Sequence, residues 1–351
     1  MLNTKMAVIK EDDFNYDAVF EAAEVIRAGG LVAFPTETVY GLGADALNSE
    51  AVKKIFEAKG RPQDNPLIIH VADKDIKKYA ENISPIAEEL INKFWPGPLT
   101  IILSKSSIIP FVTSANLNTV GIRMPASKIA LELIKASGVP IAAPSANISG
   151  RPSPTDFERC VEDLNGKVDY ILGGNISEVG LESTIVDCTV NPPCVLRPGA
   201  VTLEMLKAIH KDIYIDPAVM KKPAENLKPK APGMKYRHYA PKAKVKIIEG
   251  DLKKTIEKIN EMVLNYIDEN LKVGIMATDE SLPFYKFGEV ISLGSRKDLN
   301  SIAQNLFETL RTFDDKNVDV ILSEAFIREG IGIAIMNRLT KAAGFDIITL
   351  D

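Results

Sequence analysis

Apolar positions along the chain follow two alternating rhythms. Ala18, Val19, Ala22, Val25 and Ile26 recur at helical spacing and predict a helix over 17–29, stopped by Gly29 and Gly30. LVAFP (31–35) is an unbroken apolar run of strand length. A second helix is predicted over 49–59, capped by Ser49, with Val52, Ile55 and Phe56 inward. PLIIHVA (66–72) reads as a strand. A helix near 84–94 ends at WPGP (95–98), where Trp95 reads as a packing anchor and turn, and LTIILS (99–104) is again a strand. TVGIRMP (119–125), a helix near 127–137 and VPIAAPSA (139–146) continue the alternation, and YILGG (170–174), STIVDC (183–188) and VLRPG (195–199) add strands. Because β-α-β units mix with consecutive strands, the first part of the chain predicts an α/β (α+β) fold with a mixed sheet.

From about 211 the pattern breaks. Pro217, Pro223, Pro229, Pro232 and Pro241 follow one another, and residues 221–246 carry nine Lys or Arg against the single acid Glu225. Such a proline-rich, charged stretch is a linker by composition, yet KYRHYAP (235–241) inside it holds two tyrosines, an arginine and a histidine that a spacer does not need. The rhythm then resumes. KVKIIEG (244–250) is a strand, and 251–271 a long helix with Leu252, Ile256, Ile259, Val263, Tyr266 and Ile267 on one stripe. KVGIMAT (272–278), EVISLG (289–294), a helix over 297–313, VDVILSEA (318–325), a helix around 333–343 and DIITL (346–350) predict a small α/β sheet domain. The organisation read from this is 1–210, a linker over 211–243, and 244–351.

Composition narrows the classes. With 351 residues the chain suits two domains. At 46% apolar and 25% charged residues it is an ordinary globular sequence. No apolar run reaches the roughly 18 residues of a membrane span, and MLNTKMAVIKEDDF lacks a signal-peptide core, so a cytoplasmic protein is expected. Cys160, Cys188 and Cys194 are odd in number and lack CxxC spacing, which argues against a disulfide framework or structural zinc. A net charge of −5 excludes a uniformly basic nucleic-acid binder but leaves room for a local basic patch.

The candidate chemistry sits at strand ends. There is no GxxxxGK[ST] loop, and the glycines of GLGADA (41–46) read as a tight turn. In PTETVYGLG (35–43), Thr36, Glu37 and Thr38 lie where a buried strand opens into a loop. Lys59 and Arg61 of KGRP flank a glycine at a helix end, where cations also complement the helix dipole. His70 ends the next strand, where a histidine is more often a satisfied core residue than a ligand. Arg123, between Ile122 and Met124, needs a partner, either an internal carboxylate or a ligand carboxylate. In PSANISGRPSP (144–154), Ser145 and Asn147 alternate and share a side if extended. Ser183 in LESTIVD and Arg197 in VLRPGA stand at further strand ends.

Taken in order and spacing, PTETVYGLG, KGRPxxNPL, WPGPLT, GIRMP, PSANISGRPSP, ESTIVD and RPGA resemble the YrdC-type threonylcarbamoyl-adenylate synthase family over roughly residues 15–210. APGMKYRHYAP (231–241) and the α/β tail resemble its longer, two-domain form. The resemblance implies a twisted mixed sheet with a concave, positively charged cavity and a smaller Rossmann-like tail. It implies an enzyme that joins L-threonine, bicarbonate or carbon dioxide, and ATP into threonylcarbamoyl-adenylate and pyrophosphate. The product serves a separate transferase complex that modifies the anticodon loop of tRNA. By the same resemblance, Lys59, Arg61, Ser145 and Asn147 surround the nucleotide phosphates. Thr36, His70, Arg123, Ala143 and Ser183 surround threonine. Asn65, Thr119, Ser153, Arg197 and Tyr236 contact the nucleotide, and Tyr236 with its linker neighbours folds over it as a lid. Magnesium is implied on the triphosphate with no organic cofactor, and Glu182 is the one carboxylate suggested for it. The rival reading is a non-catalytic module that binds double-stranded RNA or tRNA on a basic sheet. The carbamoyl-transfer relative of hydrogenase maturation is set aside, because its cysteine zinc motifs and acylphosphatase unit are missing here.

Overall fold

The structure, a computed structural model, describes every residue except 1, 11, 223–228 and 235–237. It divides into two compact units, one formed by residues 1–149 and 153–235, the other by 150–152 and 236–351.

The first unit runs β1 (Lys5–Val8), α1 (Tyr16–Arg27), β2 (Val32–Phe34), β3 (Gly41–Asp45), α2 (Ser49–Lys59), β4 (Ile68–His70), β5 (Ala80–Glu81), α3 (Pro85–Phe94), β6 (Leu99–Lys105), β7 (Thr119–Arg123), α4 (Lys128–Ser137), β8 (Ile141–Ala142), α5 (Phe157–Leu164), β9 (Tyr170–Gly173), β10 (Thr184–Asp187), β11 (Cys194–Arg197), α6 (Leu203–Lys207) and β12 (Tyr214–Ile215). Its strands make one mixed sheet in the order β1-β9-β2-β3-β8-β4-β7-β6-β10-β11-β12, with β5 paired to β6. The mixed sheet expected from the sequence is therefore present. Apolar cores cover the sheet, two of them large. Val52, Ile55 and Phe56 of α2 enter one, while Val19, Ala22 and Ile26 of α1 meet Leu133 and Ile134 of α4 in the other. Burying each such side chain contributes about 1.5–3 kcal/mol. Trp95 is buried and donates its indole N–H to the Leu99 carbonyl at 2.7 Å, anchoring the turn into β6.

Three local readings are corrected. The cap of α2 is Asn48, whose Oδ1 accepts from the amides of Glu50 and Ala51, so Ser49 is the first helical residue. GLGAD is a strand, β3, and no tight turn: Gly43 lies where a Cβ would meet Ile141 Cγ2 at 2.6 Å and the Phe34 ring at 2.8 Å. Glycine is there for close packing between β2 and β8. In the long helix of the second unit, Ile267 is exposed and Met262 takes its place inside.

The second unit contains β13 (Lys244–Glu249), α7 (Leu252–Asp268), β14 (Val273–Ala277), β15 (Glu289–Ser292), α8 (Leu299–Asp315), β16 (Val320–Glu324), α9 (Gly332–Ala342) and β17 (Ile347–Thr349). All five strands are parallel, in the order β15-β14-β16-β13-β17, a Rossmann-like sheet. No helix among the described residues is long and apolar enough to cross a membrane.

Candidate active site

Helix α2 ends at Lys59 because Gly60 adopts the left-handed conformation (φ 62°) and turns the chain back, so that the Arg61 amide bonds to the Phe56 carbonyl. This turn sends the two cations to different partners. The Lys59 side chain is only 2% exposed, and its ammonium donates to the carbonyls of Ser145 (2.6 Å) and Asn147 and to Asn147 Oδ1 (3.3 Å). In return the Ser149 amide donates to the Lys59 carbonyl at 2.9 Å. Ser145 Oγ donates to Asn147 Oδ1 at 2.5 Å. Dipole complementarity is thus the smaller part of what Lys59 does: it cross-links a helix end to the PSAN loop. Arg61 Nη2 reaches the carbonyls of Asn65 and Pro66 at 3.4 and 3.3 Å. Asn65 is buried with its Oδ1 lacking a partner among the described residues.

A second group forms where β4 and β7 run parallel in register, His70 directly opposite Arg123. Both are buried. Burial, and then the nearby Arg123 charge, pull the His70 pKa down from 6.5 to about 3, so the imidazole is neutral at physiological pH. Its Nδ1 lacks a partner among the described residues. Arg123 meets the internal carboxylate that the sequence left open: Nη2 lies 2.7 Å from Glu37 Oε1, with both side chains under 10% exposed. The contact is an ion pair without hydrogen-bond alignment, since both Glu37 oxygens and Arg123 Nη2 lack a hydrogen-bond partner among the described residues. Arg123 Nη1 also donates to Thr38 Oγ1 at 2.9 Å. Thr36 Oγ1 donates to the Val39 carbonyl (2.6 Å) and contacts Thr38 Oγ1 (2.8 Å), which folds the PTET loop over the strand end. Ala143 ties the two groups together. Its amide bonds to the Ile68 carbonyl on β4, and two residues on, Ser145 bridges to Gly41.

A third group gathers Ser183, Arg197 and Thr100. Arg197 Nε and Nη2 donate to the carbonyl and Oγ of Ser183 at 3.0 and 3.1 Å, and Ser183 Oγ contacts Thr100 Oγ1 at 2.8 Å. Ser153 Oγ donates to Glu182 Oε1 at 2.6 Å, linking the end of the PSAN loop to the ESTIVD strand. Thr119 is the residue the structure does not bring in. It stands at the other end of β7 from Arg123, outside these hydrogen-bonded groups. Tyr236 lies outside the described residues. Thr100 was missed by sequence reasoning, and Thr38, named there with the PTET loop, was not tied to Arg123, although the need of Arg123 for partners could have made that link. Thr100 carries no signal inside an apolar strand.

A mixed sheet with a buried lysine drawn onto a hydroxyl-and-amide loop, next in the strand order to a buried His–Arg pair, defines an α/β protein of the YrdC type. Residues 24–199 match the family model described as telomere recombination, and 201–344 match the one described as threonylcarbamoyl-AMP synthase, C-terminal domain. The chain is 51% identical to a threonylcarbamoyl-AMP synthase of Pyrococcus abyssi, covering 93% of this chain and 94% of that one. It is 45% identical to one of Bacillus subtilis, covering 97% of each. The crystal structure of P. abyssi Sua5 complexed with L-threonine superposes with a TM-score of 0.94 at 48% identity, over 99% of this chain and 100% of that one. The chain belongs to the two-domain Sua5 family of threonylcarbamoyl-AMP synthases.

Proposed function

We propose that this chain condenses L-threonine, bicarbonate or carbon dioxide, and ATP into threonylcarbamoyl-AMP and pyrophosphate, the precursor for threonylcarbamoyladenosine in the tRNA anticodon loop. The observation that carries this reading is the convergence of Lys59, Ser145 and Asn147 on one loop in a chain so similar to a threonine-bound relative. Threonine's amine, once deprotonated, attacks carbon dioxide and forms a C–N bond while one C=O π bond opens onto oxygen, and the nitrogen then releases a proton to solvent. The resulting carbamate oxygen attacks the α-phosphorus, and the P–O bond to the leaving pyrophosphate breaks. Little covalent work falls to the protein, so positioning and charge stabilisation dominate.

In this reading Lys59, Arg61, Ser145 and Asn147 receive the phosphates, and Asn65, Thr119, Ser153, Arg197 and Tyr236 contact the rest of the nucleotide. Thr36, His70, Arg123, Ala143 and Ser183 surround threonine. Neutral His70 can accept a proton-bearing group of the substrate through Nδ1. A threonine carboxylate would share the Arg123 guanidinium with Glu37 or displace it. Magnesium would arrive as part of MgATP, held by phosphate oxygens and water. The linker over 211–243 would act as a lid that excludes water. The product would pass to a tRNA threonylcarbamoyl-transferase complex.

Pyrophosphate release from ATP that requires both threonine and carbonate is the expected outcome. No release, together with RNA binding that falls steeply with salt, would replace this reading by that of an RNA-binding module.

A further inference from the structure

The pair formed by Arg123 and Glu37 is close but poorly satisfied. Two other bonds aim the guanidinium: Nε donates to the Gly97 carbonyl at 3.3 Å and Nη1 to Thr38 Oγ1 at 2.9 Å. Nη2 lies 2.7 Å from Glu37 Oε1. Yet neither Nη2 nor either Glu37 oxygen makes a hydrogen bond among the described residues, although all three atoms are buried. The PTET main chain, by contrast, is well held. The Val179 amide donates to the Glu37 carbonyl at 2.9 Å, and Ser177 Oγ to the Thr36 carbonyl at 2.9 Å. The loop therefore fixes the root of the Glu37 side chain and leaves its carboxylate short of donors. A cavity of about 220 Å³ is bordered by Thr36 and Glu37, so the side chain is not packed in on every side.

Folding gives little reason for such a pair. A buried ion pair offsets its desolvation only when further hydrogen bonds satisfy the remaining lone pairs and protons. Buried acceptors without donors call for an explanation, and an incoming donor supplies one. The charge balance says which donor. Of the side chains placed around threonine, Thr36, His70, Arg123, Ala143 and Ser183, Arg123 alone is ionised, because burial keeps His70 neutral. Glu37 brings the sum to zero. Two opposite charges side by side match a zwitterion, whose carboxylate suits the guanidinium and whose ammonium brings three donors to the carboxylate.

We infer that Glu37 binds the α-ammonium of the substrate amino acid while Arg123 binds its α-carboxylate, the ion pair opening to admit the zwitterion between its halves. Glu37 thereby selects for the amine that must later attack carbon dioxide. The inference rests on the proposed reading of Arg123 as the partner of the threonine carboxylate.

The test uses the full chain and calorimetric titration with two ligands, L-threonine and the hydroxy acid in which its α-amino group is replaced by hydroxyl. The wild type is expected to bind threonine about tenfold or more tighter, the scale of a lost charge-assisted hydrogen bond. Glu37→Gln keeps the shape and removes the charge. It should weaken threonine binding by about tenfold or more and leave the hydroxy acid within about twofold of its wild-type affinity, or tighter. Retained binding of the hydroxy acid also shows that the pocket still folds. Glu37→Asp should recover part of the loss. Unchanged threonine affinity in Glu37→Gln overturns the inference, and so do equal losses for the two ligands, which would make Glu37 a mere support for Arg123. If the wild type binds threonine well but no better than the hydroxy acid, the role of Glu37 falls and the proposed function stands. If the wild type binds neither ligand, the proposed function falls and the role of Glu37 with it.

Discussion

At the scale of single residues, His70 and Arg123 face each other across two parallel strands, and the arginine helps to explain the histidine's state. The arginine's charge adds to burial in keeping the histidine neutral. A histidine with a folded pKa of about 3 against 6.5 takes up its proton more readily when unfolded. Its contribution to stability is therefore complete above pH 6.5 and is lost as pH falls toward 3. The denaturant midpoint of the wild type is expected to drop more steeply than that of His70→Gln across this window, and parallel slopes would remove His70 as the cause. Lys59 supports a second expectation. Lys59→Met should lower pyrophosphate release by about a hundredfold or more, as loss of a preorganised charge does. Its melting curve should remain cooperative. Arg61→Ala should behave alike, and unchanged turnover in either would return both cations to helix-end complementation.

At the scale of elements, what the sequence revealed followed periodicity. Helices α1, α2, α4, α7 and α8 were legible because one apolar stripe of each meets a sheet or another helix. Strand β3 was not, because GLGAD has too few large apolar side chains to read as a strand. Its glycines yield space to Phe34 and Ile141 instead. That gives a direct test: Gly43→Ala is expected to cost about 1–3 kcal/mol by overpacking, measured by chemical denaturation. Gly60→Ala should cost less, since open space surrounds its Cβ position and only the backbone conformation opposes it. Helix α5 and the edge strands β1 and β12 were also missed. The two edge strands are short or largely exposed, so they carry little apolar pattern. The candidate site was legible as residues but not as a circuit. Nothing in the sequence says that Lys59 bonds to the PSAN loop, or that Glu37 is the carboxylate that Arg123 requires. Those pairings depend on the strand order, which brings β4, β7 and β8 together from distant parts of the chain.

At the scale of the whole molecule, the first unit has apolar cores of its own, so it is expected to remain folded without the tail. Removing residues 231–351 should nevertheless cut threonylcarbamoyl-AMP formation severely while leaving a cooperative melt. A fully active N-terminal fragment would contradict the lid. Partners separated by 159 residues, Pro152 and Arg311, also have a consequence in time. At a synthesis rate of about 5–20 residues per second, the ribosome delivers the arginine on the order of ten seconds after the proline. Throughout that interval the Pro152 carbonyl stands on the nascent chain without the guanidinium that later donates to it, so this contact belongs to the last third of translation.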